Sequence, residues 1–198
     1  MEGSIYKDII YMKENNISHS IETNSSPSGE VRRGAFSSLS GRAGVGAIFP
    51  GSFDPFTQGH ADIVQRGLKL FDRIVIAVGY NEQKQGWIPV EERVRALRAL
   101  YANEPRISVE SYNGLTVDFA RKVGVQFILR GVRTHKDYEY ELQMADVNRQ
   151  LAPDIETVVL FSRPELANIS SSILRELAHF GRDISEWLPD GLNYKAAL

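Results

Sequence analysis

At 198 residues, 42% hydrophobic and 24% charged, the chain has the length and composition of one globular domain with an appendage. A formal net charge of −2 supplies no basic field for a nucleic-acid backbone, so any affinity for phosphate has to be local. The absence of cysteine excludes disulfides, thiolate nucleophiles and cysteine metal sites, and no stretch approaches the ~20 consecutive apolar residues that cross a bilayer.

Residues 1–44 differ from the rest of the chain. The run NISHSIETNSSPSGEVRRGAFSSLSGRAGVG is dominated by Ser, Asn, Gly and Glu and keeps neither a helical nor a strand period. So little apolar surface cannot offset the entropy of ordering, and 1–44 reads as a flexible extension, or as sequence upstream of the working start. RRGAFSSLSGR has the Arg and Ser content of a transit peptide, but Glu2, Asp8, Glu14, Glu22 and Glu30 argue against one. No basic stretch leading into an apolar core opens the chain. The expectation is a cytoplasmic protein, associated with neither membrane nor nucleic acid, whose working domain spans 45–198.

From Val45 the pattern is regular. VGAIF (45–49) reads as a buried strand, and HADIVQRGLKLF (60–71) as a helix with Ile63, Val64, Gly67, Leu68 and Phe71 on one face. RIVIAVGY (73–80) has the β-branched density of a strand buried on both sides. VEERVRALRALY (90–101) repeats Val90, Val94, Leu97 and Tyr101 at helical spacing; Glu91 and Glu92 favour its start through the helix dipole. ISVESY (107–112) is a strand, LTVDFARKVG (115–124) a helix that stops at Gly124, and VQFILRG (125–131) a strand. A helix over 137–152, a strand over ETVVLF (156–161), a helix over 170–181 and a short helix near SEWLPDGLNYKAAL complete the series. Strands alternating with helices predict an α/β fold, a doubly wound parallel five-stranded sheet with helices on both faces. Ligands of such sheets bind beyond the carboxyl ends of the strands, where the strand order reverses.

The first strand-to-helix turn, GSFDPFTQGH (51–60), falls on that edge. Gly51 permits close backbone approach, Asp54-Pro55 stiffens the bend, and Thr57 is placed to cap the helix. His60 then lies in the first helical turn, where free N–H groups favour an anion and disfavour imidazolium. A neutral His60 donating one N–H to a phosphoryl oxygen is the natural picture. The same ten residues also read as no more than a tight βα turn. They fit neither GxGxxG nor GxxxxGK(S/T), so a dinucleotide fingerprint and a P-loop are both excluded.

Thr57-Gln58-Gly59-His60 resembles the (H/T)xGH signature of the nucleotidylyltransferase superfamily. With FPGSFDPFT before it and HADIVQRG after it, the run resembles the phosphopantetheine adenylyltransferases, from about Val45 to the end of the chain. The resemblance implies a Rossmann-like fold. It also implies transfer of AMP from ATP to 4′-phosphopantetheine, giving dephospho-coenzyme A and pyrophosphate, with Mg²⁺ carried on the ATP phosphates and no metal site in the protein. A homohexamer with coenzyme A as feedback ligand is implied as well.

Three further clusters match that family. RGVRTHKDYEYELQMADVNR (130–149) leaves a strand and enters a helix, and resembles the family's GxRxxxDxxxE…NR segment. Arg130 would hold the acceptor phosphate, while Gly131, Val132, Arg133 and Glu141 would contact ATP. For Asp137, Tyr138, Tyr140 and Asn148, packing or subunit contact is an equal reading. NISSSILRE (168–176) resembles the ISS(S/T) element, which would place Ser170, Ser171 and Ser172 on ATP phosphates, with Arg175 adding charge; serine caps are also commonplace. Lys84 stands where the family has a catalytic-site lysine, but Lys84-Gln85-Gly86 lacks the second lysine and the stiffening proline. Ser52 would touch both substrates, Phe53 the ATP, and Thr116 of GLT the acceptor. The implied catalytic set is His60, Lys84 and Arg130.

His19, His135 and His179 lack metal-ligand spacing. Other readings are transfer to nicotinamide mononucleotide or glycerol phosphate, against which the 130–149 cluster argues, and a non-catalytic nucleotide-binding module. RNA binding is a weaker one, given the acidic balance.

Overall fold

The computed structural model describes residues 44–81 and 86–194. The extension expected over 1–44, except Gly44, and the loop residue Lys84 lie outside the described residues. In chain order the elements are β1 (Gly46–Gly51), α1 (Gln58–Gly67), β2 (Arg73–Gly79), α2 (Val90–Leu100), β3 (Ile107–Tyr112) and α3 (Thr116–Val123). Next come β4 (Phe127–Val132), α4 (His135–Leu151), β5 (Glu156–Phe161) and α5 (Ser171–His179), with single 3-10 turns at Pro164–Leu166 and Ser185–Trp187.

All strand pairs are parallel and the order is β3-β2-β1-β4-β5. The order reverses between β1 and β4, so the carboxyl ends of these two strands flank the switch point. Period-two alternation along β1 explains the layers. Ala47 and Phe49 face one core with Ile63, Val64, Ile74, Ile76 and Leu97, on the side of α1 and α2. Ile48 faces the other with Val75, Val117, Phe119 and Ala120, on the side of α3. This is the doubly wound, Rossmann-like sheet that the sequence predicts. RIVIAVG, with its five central residues buried, is the strand covered on both faces. Gly124 ends α3 at φ 70, in the left-handed region that favours glycine.

Two elements depart from their expected form. The first helix begins at Gln58, directly after its Thr57 cap, and ends at Gly67 rather than Phe71. A Cβ at Gly67 would lie 2.6 Å from Leu129 Cδ2 and 2.8 Å from Ile74 Cδ1, so glycine lets α1 settle onto the sheet. The chain then turns, with Phe71 N–H bonded to Gly67 O at 2.9 Å, and Phe71 still reaches the core. Among the described residues the expected terminal helix is one 3-10 turn, because Leu188 precedes Pro189 and takes an extended backbone (φ −95, ψ 149), and residues 195–198 of that run lie outside them. Helix α4 buries only Glu141, while its Tyr138, Leu142 and Leu151 stay exposed. Among the described residues no helix is long and apolar enough to cross a membrane.

Candidate active site

The loop after β1 is held by contacts that its own residues only half announce. Gly51 must lack a side chain, since a Cβ there would sit 2.8 Å from the Phe53 ring. Phe53 takes φ 50, uncommon for a residue with a Cβ, and the Asp54-Pro55 peptide is cis. The buried Asp54 carboxylate accepts N–H bonds from Trp87 and Ile88, each at 2.8 Å. Arg93, also buried, donates from Nε to Ile88 O at 2.9 Å and from Nη1 to Ser52 O at 2.5 Å. Asp54 therefore does more than stiffen the bend: with Arg93 it clamps the loop to the segment entering α2. Arg93 is absent from the sequence-based set. Its signal is a charge in helical register (i, i+4, i+7) with Leu97 and Leu100, on a face that otherwise reads as core.

His60 is fixed by the cap it helps to make. Thr57 Oγ1 accepts the His60 backbone N–H at 3.3 Å, and Thr57 N–H donates to His60 Nδ1 at 3.0 Å. This is a capping box with histidine in the returning position. An Nδ1 that accepts carries no proton, which assigns the ring proton to Nε2. The half-buried ring packs against Phe53 (5.2 Å between centroids), Phe56 (5.3 Å) and Phe49 (6.2 Å). Burial first, then the charges of Arg133 and Arg130, lower its pKa from 6.5 to about 3. The expected neutral imidazole is what these surroundings enforce, through desolvation first and then two guanidinium groups.

Arg130 leaves β4 at the other side of the switch point. Its Nε donates to Glu141 Oε2 at 2.7 Å, its Nη2 to Glu141 Oε1, and its Nη1 to Pro50 O at 2.6 Å. Glu141, for which the resemblance implies a nucleotide contact, turns both carboxylate oxygens to Arg130 and orients it. A cavity of about 230 Å³ brings together Ser52, Thr116, Arg130 and Glu141, with Tyr112 and Tyr140 also lining it. The Tyr112 hydroxyl lies 2.9 Å from Thr116 Oγ1, and its ring stacks on Phe119 at 4.7 Å.

The third cluster closes against the first. Arg133 donates to Asp137 Oδ2 at 3.1 Å and to Ile169 O at 3.0 Å. Ser170 caps α5 by accepting Ile173 N–H at 3.2 Å, and Ser171 donates its hydroxyl to Pro55 O at 2.8 Å. Ser172 accepts from Arg175, whose Nη1 reaches Asp54 O at 2.5 Å. The start of α5, with N–H groups of Ser171 and Ser172 that have no intrahelical acceptor, is thus docked on the His60 loop. Phe53 and Val132 place their side chains in the core, 2% and 3% exposed, so only their backbone is left to a ligand; the Cβ-free Gly131 passes under Ile63. Lys84 lies outside the described residues. Two wider grooves, of about 480 and 590 Å³, run beside Tyr101 and beside Trp187, and neither includes His60 or Arg130.

Among the described residues no group of three or more His, Cys, Asp and Glu gathers as a metal site. The carboxylates of the cleft, Asp54, Asp137 and Glu141, are engaged by backbone N–H groups and arginines. This donor set, cationic and neutral, suits an anionic ligand that brings its own cation.

Comparison with known proteins places the chain in a family. The cytidylyltransferase-like family model matches residues 48–177. A bifunctional NMN adenylyltransferase/ADP ribose pyrophosphatase from Francisella tularensis shares the fold, at a TM-score of 0.55 and 13% identity, over 74% of this chain and 44% of that one. Fold and family model together define a nucleotidyltransferase of the cytidylyltransferase-like class. A phosphopantetheine adenylyltransferase from Bacteroides fragilis is 56% identical over 146 residues, 74% of this chain and 97% of that protein. Those of Phocaeicola vulgatus and Porphyromonas gingivalis are 53% and 50% identical over 146 and 145 residues. The chain belongs to the phosphopantetheine adenylyltransferase family.

Proposed function

We propose that this chain transfers AMP from ATP to 4′-phosphopantetheine, releasing pyrophosphate and forming dephospho-coenzyme A. The observation that carries the reading is His60, held neutral with its proton on Nε2, on the same strand edge as the oriented guanidinium of Arg130. An acceptor phosphate oxygen attacks the α-phosphorus in line, a new P–O bond forms, and the bond to the bridging oxygen breaks, its electrons leaving with pyrophosphate. The nucleophile is already anionic, so no general base is needed, and the protein's part is alignment and charge stabilisation. His60 Nε2–H and Lys84 steady the α-phosphoryl oxygens. Arg130 positions the acceptor phosphate at the mouth of the cavity that Ser52 and Thr116 share. Ser170, Ser171, Ser172 and Arg133 hold the departing phosphates, and the backbone of Phe53, Gly131 and Val132 lines the nucleotide. Mg²⁺ carried on the triphosphate would neutralise charge there, with no cluster of protein carboxylates needed to hold it.

Residues 45–198 constitute the catalytic domain in this reading, and 1–44 are dispensable, as the 146-residue span of the relatives supports. The chain works in the cytoplasm as a homohexamer, with coenzyme A competing in the same cleft. Exposed Tyr138, Leu142 and Leu151 on α4, and exposed Phe161 on the edge strand β5, support self-association.

Pyrophosphate release from ATP, measured with phosphopantetheine, nicotinamide mononucleotide or glycerol phosphate as acceptor and with 1–44 present or removed, tests the reading. Release only with phosphopantetheine supports it. Preference for another acceptor, or nucleotide binding without release, overturns it. Light scattering reads the assembly, and added coenzyme A must raise the acceptor KM.

A further inference from the structure

The backbone N–H of Phe56 is buried within the His60 loop and takes its partner from the far end of the chain. It donates to the Tyr194 hydroxyl at 3.0 Å, across 138 residues of sequence. Tyr194 is 3% exposed and packs with Ile88 and Ala96, with Trp87 and Leu192 against the same cluster. The segment that carries it is anchored twice more. Arg95 Nη2 donates to Asn193 O at 3.0 Å, and Gln58 Nε2 donates to Glu186 O at 2.9 Å. Burial pushes the Tyr194 pKa up to about 12, so the phenol stays protonated and offers Phe56 a neutral oxygen.

Phe56 is the residue through which this contact reaches the site. Its ring, fully buried, packs on His60 at 5.3 Å, on Phe53 at 5.3 Å and on Tyr101 at 6.2 Å. The next peptide along carries the Thr57 N–H that occupies His60 Nδ1. Whatever holds the Phe56 peptide therefore sets both a wall of the imidazole and the donor that decides its tautomer. Asp54 and Arg93 grip the loop before Phe56, and Tyr194 grips it at Phe56 itself.

We propose that Tyr194 is a positioning residue for His60: by accepting the Phe56 N–H it aligns the Thr57 peptide, and so keeps the imidazole proton on Nε2 toward the reacting phosphoryl group. This rests on the reading of His60 as the donor in adenylyl transfer. The phenol touches no substrate. A ring of the same size without the hydroxyl fills the same space but leaves a buried N–H unpaired, which the loop relieves by shifting.

The test is Tyr194→Phe in the full chain, read by ¹⁵N NMR of the His60 ring in the free protein and by steady-state kinetics with ATP and phosphopantetheine. The expected result is a His60 Nδ1 resonance moved toward a mixture of tautomers. With it, kcat falls about tenfold, the scale of one lost buried hydrogen bond, while the KM for ATP stays within about twofold. His60 resonances and kcat equal to wild type overturn the inference, as does a lowered Tm with both unchanged, which is a packing role alone. If the wild-type chain releases no pyrophosphate, the adenylyl-transfer reading fails, and the His60 resonances still decide whether Tyr194 sets the tautomer. Should Y194F not fold, amide exchange in the wild type decides: a Phe56 N–H that exchanges as freely as an exposed amide refutes the bond and the proposal with it.

Discussion

Glu141 has two candidate roles, the orientation of Arg130 seen in the structure and the nucleotide contact that family resemblance implies, and replacing it separates the two. Both of its oxygens engage Arg130, its side chain is 7% exposed and that of Arg130 is 26% exposed. Removing one partner of a buried ion pair costs about 3–5 kcal/mol. Arg130 keeps its bond to Pro50 O and some contact with water, so Glu141→Ala should cost about 2–3 kcal/mol at this site. Glu141→Gln retains one acceptor oxygen and the shape, and should lose about half as much. With a urea m-value of about 2 kcal/mol/M, the alanine variant's midpoint falls by about 1–1.5 M. In kinetics the acceptor KM rises about tenfold or more in Glu141→Gln, because the guanidinium is no longer aimed, while the ATP KM changes little. A midpoint within about 0.3 M of wild type for Glu141→Ala refutes the energetic argument. A raised ATP KM with an unchanged acceptor KM refutes the assignment of Glu141 to Arg130.

The same geometry sets further outcomes. His60→Ala lowers kcat by about a hundredfold or more, the scale of one lost transition-state donor, with ATP affinity preserved; a kcat within about threefold of wild type counts against the donor role. Because the folded His60 ring titrates near 3 and the unfolded one near 6.5, the unfolded chain binds a proton that the folded chain refuses once the pH drops below 6.5. Stability should therefore fall toward acid by at most about 1.4 kcal/mol per pH unit from this group, and His60→Asn should lose that component of the slope when urea midpoints at neutral and mildly acid pH are compared. Gly67→Ala drives a methyl into Leu129 and Ile74 and should lower stability by about 1–3 kcal/mol, seen as a reduced Tm. Chelation by EDTA should stop turnover while leaving the Tm of the ligand-free protein unchanged, since the metal is assigned to the triphosphate; a lowered Tm would mean that the protein itself holds a structural cation.

Much of this molecule is written in local pattern. RIVIAVG reads as a strand covered on both sides, Thr57 as a cap and SSS as a helix start, because burial and capping act between residues a few positions apart. Three features escape that reading for one common reason. Arg93 lies on a face that reads as core, yet its guanidinium reaches a carbonyl 41 residues away. Glu141 keeps company with an arginine from another element, and the Phe56 N–H is satisfied by Tyr194 from the opposite end of the domain. The need for glycine at position 67 belongs with them, since it comes from the nearness of Leu129 and Ile74 rather than from the run QRGLKLF.

By itself the order of amino acids determined the alternating strands and helices, the capped turn that delivers His60, and the strand edge on which His60 and Arg130 meet. Hydrophobic period and helix-end chemistry are short-range, so they can be read without coordinates. The tertiary structure alone decided the proton position on His60, the orientation of Arg130 by Glu141, and the grip of Tyr194 on the His60 loop. Each of these depends on a hydrogen-bond partner or a burial that exists only once distant segments have met.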